Sequence, residues 1–149
     1  MTPLAFELQE RIRAKLVESE IASAFNVLDG YFKEKKVFNM LERIDSADRK
    51  AYETLQQDLQ AFFAAPIEIR RTEHRDYKAT READDRANVE VTWDVELAFP
   101  EVQGSVTPAT QVVKVQLKQK VKLRKGSGGW LFVSFEQLGE KNVQAIQGR

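Results

Sequence analysis

The chain has 149 residues, with 23 basic and 23 acidic side chains, one histidine and no cysteine. That length suits one domain with a real core, and a formal charge of zero gives no electrostatic reason to expect nucleic acid or an anionic membrane as the main partner. Without cysteine there is no disulfide framework, thiolate zinc site or cysteine nucleophile, and no apolar run approaches the roughly 20 residues that span a bilayer.

The N-terminal stretch MTPLAFELQERIRAK is amphipathic and lacks the basic-then-apolar order of a signal peptide. No compartment is assigned, since a cysteine-free chain suits a reducing or an oxidising one and a trimmed leader is compatible with the sequence. Thr2 followed by Pro3 reads as a helix start, a hydroxyl cap with proline at the first helical position. Leu4, Leu8, Ile12 and Leu16, then Val17, Ile21, Phe25, Leu28 and Phe32, recur at helical spacing, as one long helix or two abutting ones. Gly30 and the charged run at 33–36 mark a break. Val37, Met40, Leu41 and Ile44 make a short second stripe. Asp45 or Ser46 is expected to cap a third helix with Ala51, Leu55, Leu59, Phe62 and Phe63 on its buried side, and Pro66 stops it.

Beyond Pro66 the period becomes two. Residues 67–78 form a first strand, 82–88 a hairpin loop, and Val89–Phe99 a second strand. A longer loop spans Pro100–Gln111, and Val112–Arg124 is a third strand. The glycine-rich turn at 126–129 leads into a final strand, Trp130–Phe135. The tail from Gly139 is left without regular structure. The second strand alternates apolar residues with Glu90, Asp94 and Glu96, and the third with Lys114, Lys118, Lys120 and Lys122. Acidic and basic outer faces of this kind suit antiparallel neighbours. Pairing Phe99 with Val113 sets Glu90 opposite Lys122 and Asp94 opposite Lys118; a slip of two residues still opposes unlike charges, so the face is better specified than the register.

Chemistry-bearing motifs are sparse. His74, between Glu73 and Arg75, reads as a solvated residue without a metal-binding companion. No nucleophile elbow, phosphate loop or dinucleotide fingerprint occurs, and Gly126–Gly129 joins two strands rather than opening a helix. The lysine strand lacks the interleaved aromatics of a nucleic-acid stacking platform. Polar residues at apolar parities are more informative. Gln119 interrupts the set Val113, Val115, Leu117, Val121 and Leu123, and in the register above it faces Trp93. Arg71, Glu73 and Arg75 share parity with Ile67, Ile69 and Tyr77. A bulge that turns these three outward is the favoured reading; pairing along a cavity wall is the other.

The order of elements, together with FNVLDGYF at 25–32 and GGWLFVSF at 128–135, resembles the nuclear-transport-factor-2-like superfamily, with its cystatin-like fold and its SnoaL-like and ketosteroid-isomerase-like members. Leu28–Tyr31–Phe32 matches a common apolar–x–x–aromatic–aromatic stretch, and Gly129–Trp130 a common opening of the last strand. The resemblance covers about residues 15–137. It implies a conical pocket between helices and concave sheet and a tendency to dimerise through the sheet. The isomerases of the group use an aspartate base with a tyrosine and a second acid. That triad has no residue-by-residue match here, because Asp94 has outward parity and no acid accompanies Tyr31, Tyr52 or Tyr77.

The sequence therefore predicts a single α+β domain over 1–149, with N-terminal helices packed on a curved four-stranded antiparallel sheet. The expected function is a non-catalytic module that binds a small apolar ligand or a partner protein through its cavity or sheet. A pocket enzyme of the isomerase, dehydratase or hydrolase kind is the alternative, and it would require an acid–base pair in the cavity. Candidate ligand-binding residues are Trp93, Gln119, Tyr77, Arg71 and Tyr52. No catalytic residue, metal or cofactor is assigned, and neither nucleic acid nor membrane is expected as a partner. A homodimer through the sheet is expected because Trp130 and Phe132 share a strand face that helices covering Leu131, Val133 and Phe135 would leave bare.

Overall fold

The computed structural model describes residues 2–99 and 111–147. Three helices, α1 (Pro3–Lys33), α2 (Val37–Glu42) and α3 (Arg49–Ala64), precede five strands: β1 (Glu68–Ala83), β2 (Arg86–Phe99), β3 (Gln111–Gly126), β4 (Gly129–Gln137) and β5 (Asn142–Gln147). The sheet is antiparallel in the order β1-β2-β3-β4, with β5 sharing β3's outer edge with β4. β5 corrects the expectation of an unstructured tail: Gly139, at φ 72°, precedes residues that pair from Gln111↔Gln147 to Gln116↔Asn142. The long loop expected over Pro100–Gln111 lies outside the described residues, apart from Gln111, which opens β3. No helix among the described residues is long and apolar enough to cross a membrane.

α1 begins as its sequence dictates, with the Thr2 hydroxyl accepting from the Ala5 amide at 3.2 Å. It is one continuous helix, and its two halves differ. Ile21, Phe25, Leu28 and Phe32 are buried, whereas Leu4, Leu8, Ile12 and Leu16 are each more than half exposed. α3 is capped by Asp48, whose carboxylate accepts from Ala51 at 3.1 Å, and not by Asp45 or Ser46. Asp45 instead accepts from Ala47 and from Arg124 of β3. The change follows from chain direction: residues 43–45 run beside β4, with Asp45 N–H donating to Phe132 O and Phe132 N–H to Arg43 O, each at 2.8 Å. The helix starts only after that short pairing ends. Leu55, Leu59, Phe62 and Phe63 pack against the core, but Ala51 is exposed.

β2 and β3 pair with Phe99 opposite Gln111, two residues from the predicted register. Glu90 now faces Lys120 and Glu96 faces Lys114, so the slip keeps opposite charges together on the outer face while Asp94 moves opposite Gln116. Gln119 accordingly lies opposite Val91, and Leu117 lies opposite Trp93. β1 carries the bulges that the parity of its charges called for. The register shifts between Ile69 and Arg71 and again between Arg75 and Lys78, where Asp76 takes φ 57°. The first shift turns Arg71, Glu73 and Arg75 outward and places Thr72 and His74 on the helix-covered face. The second returns Tyr77 to that face.

The burial of Trp130 and Phe132 within their own chain removes the premise of the sheet dimer, and the β3–β4 register shifts between Lys122 and Leu123. Trp130 and Phe132 are 5% and 1% exposed within their own chain, while Val133 and Phe135 are 44% and 38% exposed. Trp130 Nε1–H donates to Glu20 of α1 at 2.9 Å, and Lys125 lies over its ring. The Arg43–Asp45 segment also occupies part of β4's outer edge, where another strand would have to add.

Candidate functional site: an apolar cavity ending on a buried Asp–His pair

The concave sheet face and the helices enclose a cavity of about 250 Å³. α1 contributes Leu28, Asp29 and Phe32 to its wall. Met40 of α2 and Ile44 just beyond it form one side, and Leu55 and Leu59 of α3 form the roof. Each of the four consecutive strands adds one residue: His74, Trp93, Gln119 and Phe135. The lining is apolar except for Asp29, His74 and Gln119, all more than nine-tenths buried.

A carboxylate on the buried side of a helix must be paired to be tolerated. Asp29 is paired twice. Thr72 O–H donates to Oδ1 at 2.7 Å, and His74 Nδ1 lies 2.7 Å from Oδ2. Trp93 Nε1–H in turn donates to Thr72 Oγ1 at 2.8 Å. The donors thus run Trp93 to Thr72 to Asp29, with His74 arriving from the other side. An ionised carboxylate only accepts, so the imidazole carries its hydrogen on Nδ1. His74 is also held sterically: its ring stacks on Trp93 with an interplanar angle of 3° at 5.4 Å and packs against Phe25 at 4.8 Å. Its Nε2 has no hydrogen-bond partner among the described residues, and the residue lines the cavity. Gln119 Oε1 is sealed and unpartnered, a condition that costs on the order of 1–3 kcal/mol.

The five residues singled out from sequence separate. Trp93 and Gln119 line the cavity together beneath α3. Tyr77 does not: it packs on Phe25 with ring centroids 5.5 Å apart and borders a neighbouring groove with Asp76 and Leu138. Burial, reinforced by the charges of Asp29 and Glu73, pushes its phenol up to about 12. Tyr52 is half-buried against the core without lining the cavity. Arg71 is turned away, 62% exposed, in an ion pair with Glu73. Its guanidinium pKa is raised above the ordinary value, chiefly by the hydrogen bond it donates to Glu73. His74, expected to be solvated, is 6% exposed and central; the bulge after Ile69 that sent its charged neighbours outward sent it inward. Asp29 and Thr72 were not anticipated. The readable signal was Asp29 itself, an acid four residues after Phe25 and three before Phe32 on the buried stripe.

Fold and site together define an α+β domain in which helices cap an open antiparallel sheet over an apolar, histidine-ended cavity. No protein-family model matches the chain, and no curated protein does. Solved structures do share the fold. One is the crystal structure of a proposed aromatic ring hydroxylase from Novosphingobium aromaticivorans, with TM-score 0.58 and 10% identity over 86% of this chain and 94% of that one. Another is the intermembrane space region of the chloroplast protein ARC6, with TM-score 0.54 and 17% identity over 85% and 97% of the respective chains. At these identities the likeness is one of fold.

Proposed function

We propose that the chain is a nuclear-transport-factor-2-like domain whose cavity holds a small, largely apolar ligand. The observation that carries this reading is the cavity wall: Leu28, Phe32, Met40, Leu55 and Leu59 around a space of about 250 Å³, with polar groups gathered at one end. Apolar walls with a few oriented polar groups are the usual make-up of a small-molecule site. A partner protein docking on the sheet has less support, because the outer face is charged and Trp130 and Phe132 are buried within their own chain.

The pocket-enzyme reading gains from one specific feature. Asp29 and His74, both buried and 2.7 Å apart, would serve as the acid–base pair it requires. Asp29 would hold the imidazole's tautomer and orientation, leaving Nε2 as a general base toward a bound molecule. Binding and chemistry thus share one site, and the ligand reading is the more general of the two.

Titration with indole and naphthalene, followed by NMR shifts of Trp93, Leu55 and Leu59, tests the reading. Saturable shifts confined to the cavity residues, abolished by a Leu28→Phe variant that keeps the wild-type fold, are expected. Absence of shifts at millimolar probe would contradict it. With a bound ligand in hand, deuterium exchange at its acidic carbons that is lost in Asp29→Asn, with binding kept, would separate enzyme from carrier.

A further inference from the structure

The polar end of the cavity is formed by Asp29, His74 and Gln119. Each Asp29 oxygen already has one partner, Thr72 or His74, and the carboxylate adds a negative field to this end of the cavity. With the ring neutral and its hydrogen on Nδ1 toward Asp29, Nε2 of His74 is a lone pair. Trp93 Nε1–H, the one indole donor on the wall, is already given to Thr72. Gln119 Oε1 is a second acceptor with no donor, on an amide whose NH2 can itself donate, and the soft terminal torsion of a glutamine lets either end turn toward a guest. Among the described residues, no lysine or arginine lines this cavity.

From this polarity we infer that the ligand is a neutral, mostly apolar molecule presenting a hydroxyl group, whose O–H donates to His74 Nε2 or Gln119 Oε1. The inference rests on the cavity being a ligand site and adds the chemical class of what enters it. A carboxylate brings acceptor oxygens and a charge to a place that holds Asp29 and two further acceptors. A ketone or ether brings an acceptor with no hydrogen to give. Both leave the His74 acceptor without a donor, which is the situation in which polar sites discriminate most strongly. Positioning also fits: the stack of His74 on Trp93 and the contact with Phe25 fix the imidazole plane, so Nε2 points in one direction.

Three probes of one shape test this: 2-naphthol, its methyl ether 2-methoxynaphthalene, and 2-naphthoate. Affinities are read by calorimetry, and the site by the NMR signals of the His74 ring and the Gln119 side-chain amide. Naphthol is expected to bind at least tenfold more tightly than the ether, and naphthoate most weakly. The conservative Gln119→Met variant should narrow the naphthol–ether gap severalfold while leaving ether binding nearly unchanged. An ether bound as tightly as naphthol, or naphthoate bound best, overturns the hydroxyl assignment and leaves the cavity reading intact. Failure of all three to bind overturns the cavity reading itself.

Discussion

Asp29, Thr72, His74 and Trp93 form a chain of hydrogen bonds in which each member is oriented by the next. Removing the acceptor at its centre leaves the Thr72 hydroxyl and the His74 ring buried without a partner. Asp29→Ala is therefore expected to cost about 3 kcal/mol, at about 1–3 kcal/mol for each buried group left without its acceptor; urea unfolding measures it, and a loss below 1 kcal/mol would mean that water replaces the carboxylate. Gln119 behaves oppositely. Its orphaned carbonyl is a liability to the empty fold, so Gln119→Met should stabilise by about 1 kcal/mol, the pattern of a residue kept for a purpose other than stability. Tyr77 supplies a third check. Its phenol ionises near 12 in the folded chain against an ordinary value of 10.0. A raised value means the unfolded chain releases this proton first. Its contribution to stability is present below pH 10 and is lost as pH rises toward 12. Tyr77→Phe should flatten the stability–pH curve in that window.

At the scale of elements, α1 contains both a core helix and an uncovered one. Phe25 is fully buried, touching His74, Tyr77 and Phe132, and Phe25→Ala should cost about 3–5 kcal/mol. Leu8 is 51% exposed, and Leu8→Gln should change stability by no more than about 0.5 kcal/mol. Equal losses at the two positions would mean that the first half of α1 is packed in solution. α3 has no fully buried side chain, and the link before it is tied to β3 by Asp45 and Arg124. The Arg124 guanidinium, helped by the Ala47 amide, holds the Asp45 carboxyl below its ordinary 3.8. A lowered value gives stability that is present above pH 3.8 and is lost as pH falls through the folded value; Asp45→Asn should remove that part of the acid slope in thermal melts. Periodicity alone located α1, α3 and the β2–β3 pair, because period 3.6 and period 2 are written in residues such as Phe25, Leu59, Val89 and Val121. The bulges in β1 were legible only as a parity conflict at Arg71, Glu73 and Arg75. β5 was not legible, since its pairing is set by the edge that β4 leaves free after Gln137 and not by any pattern of its own.

For the molecule as a whole, an open sheet capped on one face by helices leaves a space that its side chains do not fill, and the sequence showed only half of that site. Trp93 and Gln119 stood out because both sit on the regular β2–β3 pair, where parity is reliable. Asp29 and His74 come together across 45 residues, from a helix and from a strand whose phase is reset by a bulge, and no local pattern encodes such a meeting. The same distance in sequence makes the pair a sensitive reporter of the complete fold. His74 is the only histidine, so its ring nitrogens are assigned without mutagenesis. The most direct test is a long-range ¹H–¹⁵N spectrum of the imidazole, recorded where the ring is neutral, with and without 2-naphthol. The hydrogen should reside on Nδ1, and Nε2 should show the shift of a bare acceptor that moves when naphthol is added. A ring with its hydrogen on Nε2, or one indifferent to the probe, would contradict an Asp29-held histidine at the polar end of a ligand cavity.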